Sequence, residues 1–289
     1  MRHIIPISGK DSLTTAIVQT AREEHDYEYF FNPTGLELPE VFEWLDSVEN
    51  KLGITIERVG KPLGEIIVKR NYFLPSSRAR YCTQESKIEP MIEWIGQTEA
   101  TVYYGIRADE NRIGFNNSAS PNITPKYPLV DMNINLQGVY LLLNRYGLKP
   151  PTFFWADMHR RVTESIGYDP KPIMQEWMFD MLFSWRSRPN CDRCYNQRLY
   201  EWVGLMEHHP ARFWEAEGWE HKGSNGTYTW NRQKSLQEIA DDAENIKNKR
   251  VKQVVKQIKK FEQLNLFEDN HAEGFDVLAA TSCGLFCGK

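Results

Sequence analysis

The chain has 289 residues, of which 41% are apolar, 26% charged and 12% aromatic, and its formal net charge is −4. Nine tryptophans exclude disorder as the dominant state, and no run approaches the ~20 apolar residues of a membrane span. A negative total also argues against nucleic-acid binding by the whole surface. The segment Met1–Pro6 lacks an apolar stretch followed by a small-residue cleavage site, so a cytoplasmic chain is expected.

In chain order, His3–Ile7 is an apolar run of strand length, and Ser8-Gly9-Lys10-Asp11-Ser12 reads as a turn. Helical spacing follows over Leu13–Glu24. Tyr27–Asn32 reads as a second strand, and Pro39–Leu52 as a helix closed by Gly53. Ile54–Val59 alternates like a strand, Glu85–Ile95 is helical, and Thr101–Ile106 is a further buried strand. Alternating strands and helices predict an α/β fold with a doubly wound, mostly parallel sheet, whose ligands bind at the carboxyl ends of strands. Asn111–Pro128, rich in Asn, Ser and Pro, reads as a loop near that site. From Leu136 to Leu205 the pattern is helical. A polar turn at Gly223–Thr227 precedes a long helix, Ser235–Phe261, opened by a Ser235/Glu238 capping box. The expected division is a nucleotide-binding domain over residues 1–135 and a mainly helical region over residues 136–289.

The first turn carries chemistry. Backbone N–H groups, a helix N-terminus, the Lys10 cation and the Ser12 hydroxyl together suit a phosphate chain, although the turn is not a Walker A loop. Lys87 and Arg107 could bind phosphate or sulfate oxygens, and Asp11, Asp109 and Glu110 offer oxygen ligands for magnesium.

Ile7–Ser12 resembles the Ser-Gly-Gly-Lys-Asp-Ser pyrophosphate loop of the adenine-nucleotide alpha-hydrolase (PP-loop) superfamily, with Ile7 and Ser8 as departures. Thr34-Gly35-Leu36-Glu37-Leu38-Pro39-Glu40 resembles a segment of the phosphoadenosine phosphosulfate (PAPS) reductases and their relatives. Cys82 with Lys87-Ile88-Glu89-Pro90, and Gly105-Ile106-Arg107-Ala108-Asp109-Glu110-Asn111-Arg112, are similar to two further segments. Cys191-Asp192-Arg193-Cys194 and Glu207-His208-His209-Pro210 are similar to later ones. The resemblance implies a HUP/PP-loop fold that binds ATP and magnesium (Mg2+). It places Ser8, Gly9, Lys10, Asp11, Ser12, Thr34, Gly35, Lys87, Gly105, Arg107 and Arg112 at the nucleotide.

Five cysteines without an export signal suit metal or catalytic use better than disulfides. Cys191-x-x-Cys194 has ligand spacing for an iron–sulfur cluster or zinc. Related sulfonucleotide reductases carry a Cys-Cys pair where this chain has Tyr81-Cys82. Two completions stay open: a three-cysteine cluster on Cys82, Cys191 and Cys194, or a four-cysteine site joined by Cys283 and Cys287, which zinc would fit equally well. Ser282-Cys283-Gly284-Leu285 is also close to the reductases' C-terminal nucleophile motif, with Phe286 where their His stands. Cys283 is therefore a candidate catalytic thiol.

The expected activity is an ATP pyrophosphatase that adenylates an acceptor for sulfur incorporation, closest in type to the enzymes of DNA phosphorothioation. Lys10, Asp11 and Cys283 would be its catalytic residues, a cysteine desulfurase its sulfur donor and a nucleic acid its acceptor. The alternative is a thioredoxin-dependent sulfonucleotide reductase, which the tail favours and Lys10 opposes. Seven Lys/Arg between Asn245 and Phe261 are read as a solvated helix face, with a nucleic-acid contact strip as the sharper reading. No membrane association is expected, and an oligomer is left open.

Overall fold

The computed structural model describes residues 1–111, 113–189, 191–224 and 226–265. Arg112, Cys283 and Cys287, all named above, lie outside the described residues. Five strands form one parallel sheet: β1 (Arg2–Pro6), β2 (Tyr27–Phe31), β3 (Ile56–Arg58), β4 (Ala100–Tyr103) and β5 (Ile123–Lys126), in the order β3-β2-β1-β4-β5. The chain winds outward through β2 and β3, then returns to the other side of β1 to form β4. The winding direction therefore reverses between β1 and β4, and a crevice opens there at the carboxyl edge.

Period-2 alternation explains why both faces of the sheet are covered. Ile5, Tyr29, Phe31, Ile56 and Tyr103 join one buried cluster with helices α1 (Lys10–Thr20) and α2 (Pro39–Leu52). Ile4, Phe30, Ala100, Val102 and Ile123 join the other, with Met91 and Ile95. Those two residues lie in a helical stretch built from α4 (Tyr81–Thr83), a π-turn over Gln84–Ile88 and α5 (Glu89–Ile95), which follows α3 (Leu63–Lys69).

Two local expectations change. Helix α1 starts at Lys10, so Lys10, Asp11 and Ser12 form its first turn instead of a loop ahead of it. Strand β5 lies inside the stretch Asn111–Pro128, read as a loop from its Asn, Ser and Pro content, and it contains a proline, Pro125. The ladder resolves the conflict. Asn122 and Lys126 carbonyls accept from Ala100 and Tyr104 N–H at 2.9 and 2.8 Å, so the even positions face β4 and Pro125 presents its missing N–H to the outer edge.

Beyond β5 come α6 (Pro128–Asp131), α7 (Leu136–Tyr146), α8 (Ala156–Ile166), α9 (Glu176–Leu182), α10 (Leu199–His208), α11 (Pro210–Glu220), α12 (Leu236–Asp241) and α13 (Ala243–Asn265). The single long helix expected from Ser235 is two helices, parted at Asp242, whose carboxylate holds Lys234 and accepts from Asn245 Nδ2 at 3.0 Å. Of the seven basic residues counted there, two serve the interior. Lys247 bonds Glu207 at 2.9 Å, and Arg250 bonds the Leu182 carbonyl at 3.0 Å while lying over the Tyr200 ring. Among the described residues no helix is long and apolar enough to cross a membrane.

Candidate active site

A cleft occupies the crevice between β1 and β4. Its floor is Ser8–Ser12 together with Tyr104, Gly105 and Ile106, the residues that leave the two strand ends. The first helical bond of α1 runs from Leu13 N–H to the Gly9 carbonyl at 3.0 Å. Ser12 Oγ accepts from the Ser8 and Gly9 N–H groups at 2.8 and 3.1 Å, so the turn is held by the hydroxyl that follows it. A Cβ on Gly9 would lie 3.6 Å from Pro189, across the cleft, so the glycine keeps that gap clear. Gly105 is required for packing: a Cβ there would lie 2.5 Å from Ser12 N and 2.6 Å from Asp11 C. The loop after β4 rests directly on the first turn of α1.

Lys10 lines this floor at 8% exposure. Burial pushes its pKa below the ordinary lysine value, and Asp11, 3.6 Å away, works in the opposite direction. A desolvated ammonium at the head of a helix is electrostatically primed for an anion. Asp11 is fixed by Arg107, whose Nη1 donates to it at 3.1 Å. Arg107 also donates to Asp109 at 2.9 Å and pairs with Glu110 at 3.4 Å, and only 1% of it is exposed. Burial opposes its charge, but Asp11, Glu110 and Asp109 more than offset this and hold its pKa above the usual value. Arg107 thus addresses carboxylates and braces the first turn of α1. Asp11, Asp109 and Glu110, named as magnesium ligands, surround that guanidinium.

The opposite wall comes from the helical half, and sequence reasoning missed it. Tyr140 of α7, Lys149–Phe153, Asp180 and Met181 of α9, and Ser184 with Arg186–Pro189 face the cleft. Tyr140 stacks on Trp177 with ring centroids 5.6 Å apart. Burial raises the Asp180 pKa, while Lys149 pulls it down. Buried Glu201 fixes the last segment by accepting from Ser187 N and Oγ at 2.8 and 2.6 Å and from Arg198 N at 2.8 Å. Burial opposes the Glu201 charge, but Arg188, Arg198 and these bonds hold its pKa below the usual range. Gly204 lets α10 approach the same segment, since a Cβ there would lie 2.5 Å from Trp185 Cβ. The readable signal was Arg186-Ser187-Arg188-Pro189, a basic turn just ahead of Cys191.

Thr34, Gly35 and Lys87 lie beside the cysteines, apart from the cleft lining. Glu37 closes the turn after β2 by accepting from Thr34 N at 3.0 Å and Thr34 Oγ1 at 2.6 Å. Its neighbour Leu36 accepts from Asp192 N at 2.6 Å, and Arg212 joins the Glu37 carbonyl to Asp192 at 3.2 and 2.6 Å. The Cys191–Cys194 turn is thereby docked on the sheet half. Cys82, Cys191 and Cys194 come together as free thiols. A hydrogen bond with Cys194, followed by burial, holds the Cys191 pKa well above a free thiol, and burial with Cys194 nearby raises that of Cys82. Lys87 opposes both shifts. Among the described residues no group of three or more His, Cys, Asp or Glu is arranged to hold a metal ion. Cys283 and Cys287, which the four-cysteine completion needs, lie outside the described residues, and no iron–sulfur or zinc site is assigned.

Residues 2–121 match the family model of the phosphoadenosine phosphosulfate reductase domain, a member of the PP-loop superfamily. The match covers β1 to β4, the phosphate-type turn and the Cys82/Lys87 segment, and ends before β5 and the Cys191–Cys194 turn. No curated protein matches the chain.

Proposed function

We propose that this chain is an ATP pyrophosphatase that adenylates an acceptor and prepares it for sulfur. The carrying observation is Lys10, a buried ammonium on the floor of the cleft beside the N–H groups that open α1. A loop built for the β and γ phosphates gains from a cation there. In this reading the phosphate chain of ATP, arriving with its own magnesium, lies along Ser8–Ser12. Tyr140 and Phe153 border the space for the adenosine part. An acceptor oxygen attacks the α phosphorus, and the bond to the bridging oxygen breaks. Pyrophosphate stays on the loop, where Lys10 balances its growing charge. The outer sulfur of a persulfide borne by a cysteine desulfurase partner then attacks the adenylated acceptor and displaces AMP. A second thiol takes the carrier sulfur as a disulfide and leaves sulfur on the acceptor, which we take to be a nucleic acid, as in DNA phosphorothioation. No step is assigned to a protein-held metal or to an iron–sulfur cluster.

The matched family's name supports a second reading, reduction of a sulfonucleotide, in which Cys283 would be the nucleophile. Calorimetry of magnesium-ATP against PAPS, on anaerobically purified protein, separates the two. Tighter binding of ATP, abolished by Lys10→Ala without loss of the folded state, is the expected result. Tighter binding of PAPS would replace the first reading with the second. Because burial lowers the Lys10 pKa, its charge disappears at lower pH than that of free lysine. ATP affinity should therefore fall as pH rises through that lowered pKa, and titrations across alkaline pH check it. An affinity flat to about pH 10.4, the ordinary lysine value, would remove Lys10 from the phosphate contact.

A further inference from the structure

A second groove, of about 740 Å3, lies apart from the cleft. Its walls are the loop after α3, the Tyr195–Leu199 segment that follows Cys194, and the Thr227–Gln233 strap that precedes α12. Among the described residues lining it, none is Asp or Glu, whereas Arg198 and Arg232 both face it. Half-buried Tyr195 and Tyr228 present rings along its length, and Tyr228 is braced edge-on by Phe73 with centroids 4.9 Å apart. Asn196 and Gln233 add side-chain amides to the lining. Rings with π-faces, guanidinium groups, amides and an acid-free lining match a ligand with flat bases on an anionic backbone.

We propose that this groove binds a segment of single-stranded nucleic acid and is the acceptor site. The acceptor role rests on the adenylation reading; the binding itself does not. Tyr195 ties the groove to the thiols, because it hydrogen-bonds Arg80 and lies within electrostatic reach of Cys82 and Cys194. A strand laid along the groove would pass the thiol-bearing turn at one end.

Fluorescence anisotropy of the full chain with a labelled, mixed-sequence strand tests this, with a strand of about 12 nucleotides covering one site. Binding should be several-fold stronger than to the matching duplex and should weaken with salt. Tyr228→Ala and Arg232→Glu should each weaken it by about fivefold or more, the size of one lost stacking or phosphate contact. Arg232 is exposed, so its variant tests the groove without a folding risk. Any one of four results overturns the proposal: no strand binding, equal binding of duplex, equal competition by polyglutamate, or variants that bind like the parent. Magnesium-ATP calorimetry on the same variants keeps the two readings apart. The variants should bind ATP like the parent. In the parent, absent strand binding with intact ATP binding defeats the groove alone, and strand binding without ATP binding defeats the pyrophosphatase reading alone.

Discussion

Two buried aspartates anchor the two chemically active regions, and they are held differently. Asp11 is clamped by Arg107, which enters from the adjacent strand end and is 1% exposed. Asp192 is fully buried, yet one of its cations, Arg212, keeps about a third of its side chain in solvent. The first pair closes a corner within the sheet. The second spans the two halves of the chain, since Arg212 also holds the Glu37 carbonyl and Asp192 N–H meets Leu36. A buried carboxylate near a strand end is thus fixed by topology, whereas the one in the loop is held by its neighbour Arg193 at 2.8 Å and by a helix arriving from elsewhere.

That contrast is open to direct attack. Arg107→Ala should cost about 3–5 kcal/mol in chemical denaturation, because Asp11 is left charged and buried without its guanidinium partner. Gly105→Ala should cost about 1–3 kcal/mol, since its Cβ would meet backbone atoms of Asp11 and Ser12. Arg212→Ala should cost about 1–2 kcal/mol, a hydrogen-bond loss reduced by solvent. It should also make Cys191 and Cys194 react faster with a thiol reagent, as the turn undocks. If Arg212→Ala destabilises as much as Arg107→Ala, the difference between the two regions is not one of burial.

The smallest effect is expected at Asp180. Its folded-state pKa is raised, so its ionised form is disfavoured by folding. The penalty is complete above the raised pKa and vanishes below the unfolded value of about 3.9. Asp180→Asn should therefore be slightly more stable than the parent at neutral pH and equal to it at acid pH. Thermal melts across that range check the sign, and a variant less stable at pH 7 would show that Asp180 is held by a contact worth more than its desolvation.

The cleft floor was legible because its parts are local. A strand, a Gly-Lys-Asp-Ser turn and a helix are contiguous, and Gly105-Ile106-Arg107 follows the strand that topology sets beside the first. Arg107 shows the limit of that reading. Its type suggested an anion ligand, but three carboxylates reach it first. The far wall was illegible for the opposite reason: Tyr140, Asp180 and Arg188 belong to separate segments and meet only when the helices pack. Pro125 misled in another way, since a proline forbids an inner strand but not an outer one, and sequence alone does not say which strand is last.

That proline also settles how the sheet ends. Strand β5 has four residues, and the backbone of Ile123 and Pro125 faces outward. A chain seeking to extend the sheet would find the Pro125 donor replaced by a ring and the Ile123 N–H already given to the Ser120 carbonyl at 3.0 Å. Growth of the sheet into a continuous ribbon of molecules is discouraged by these two positions, with the ladder inside left intact.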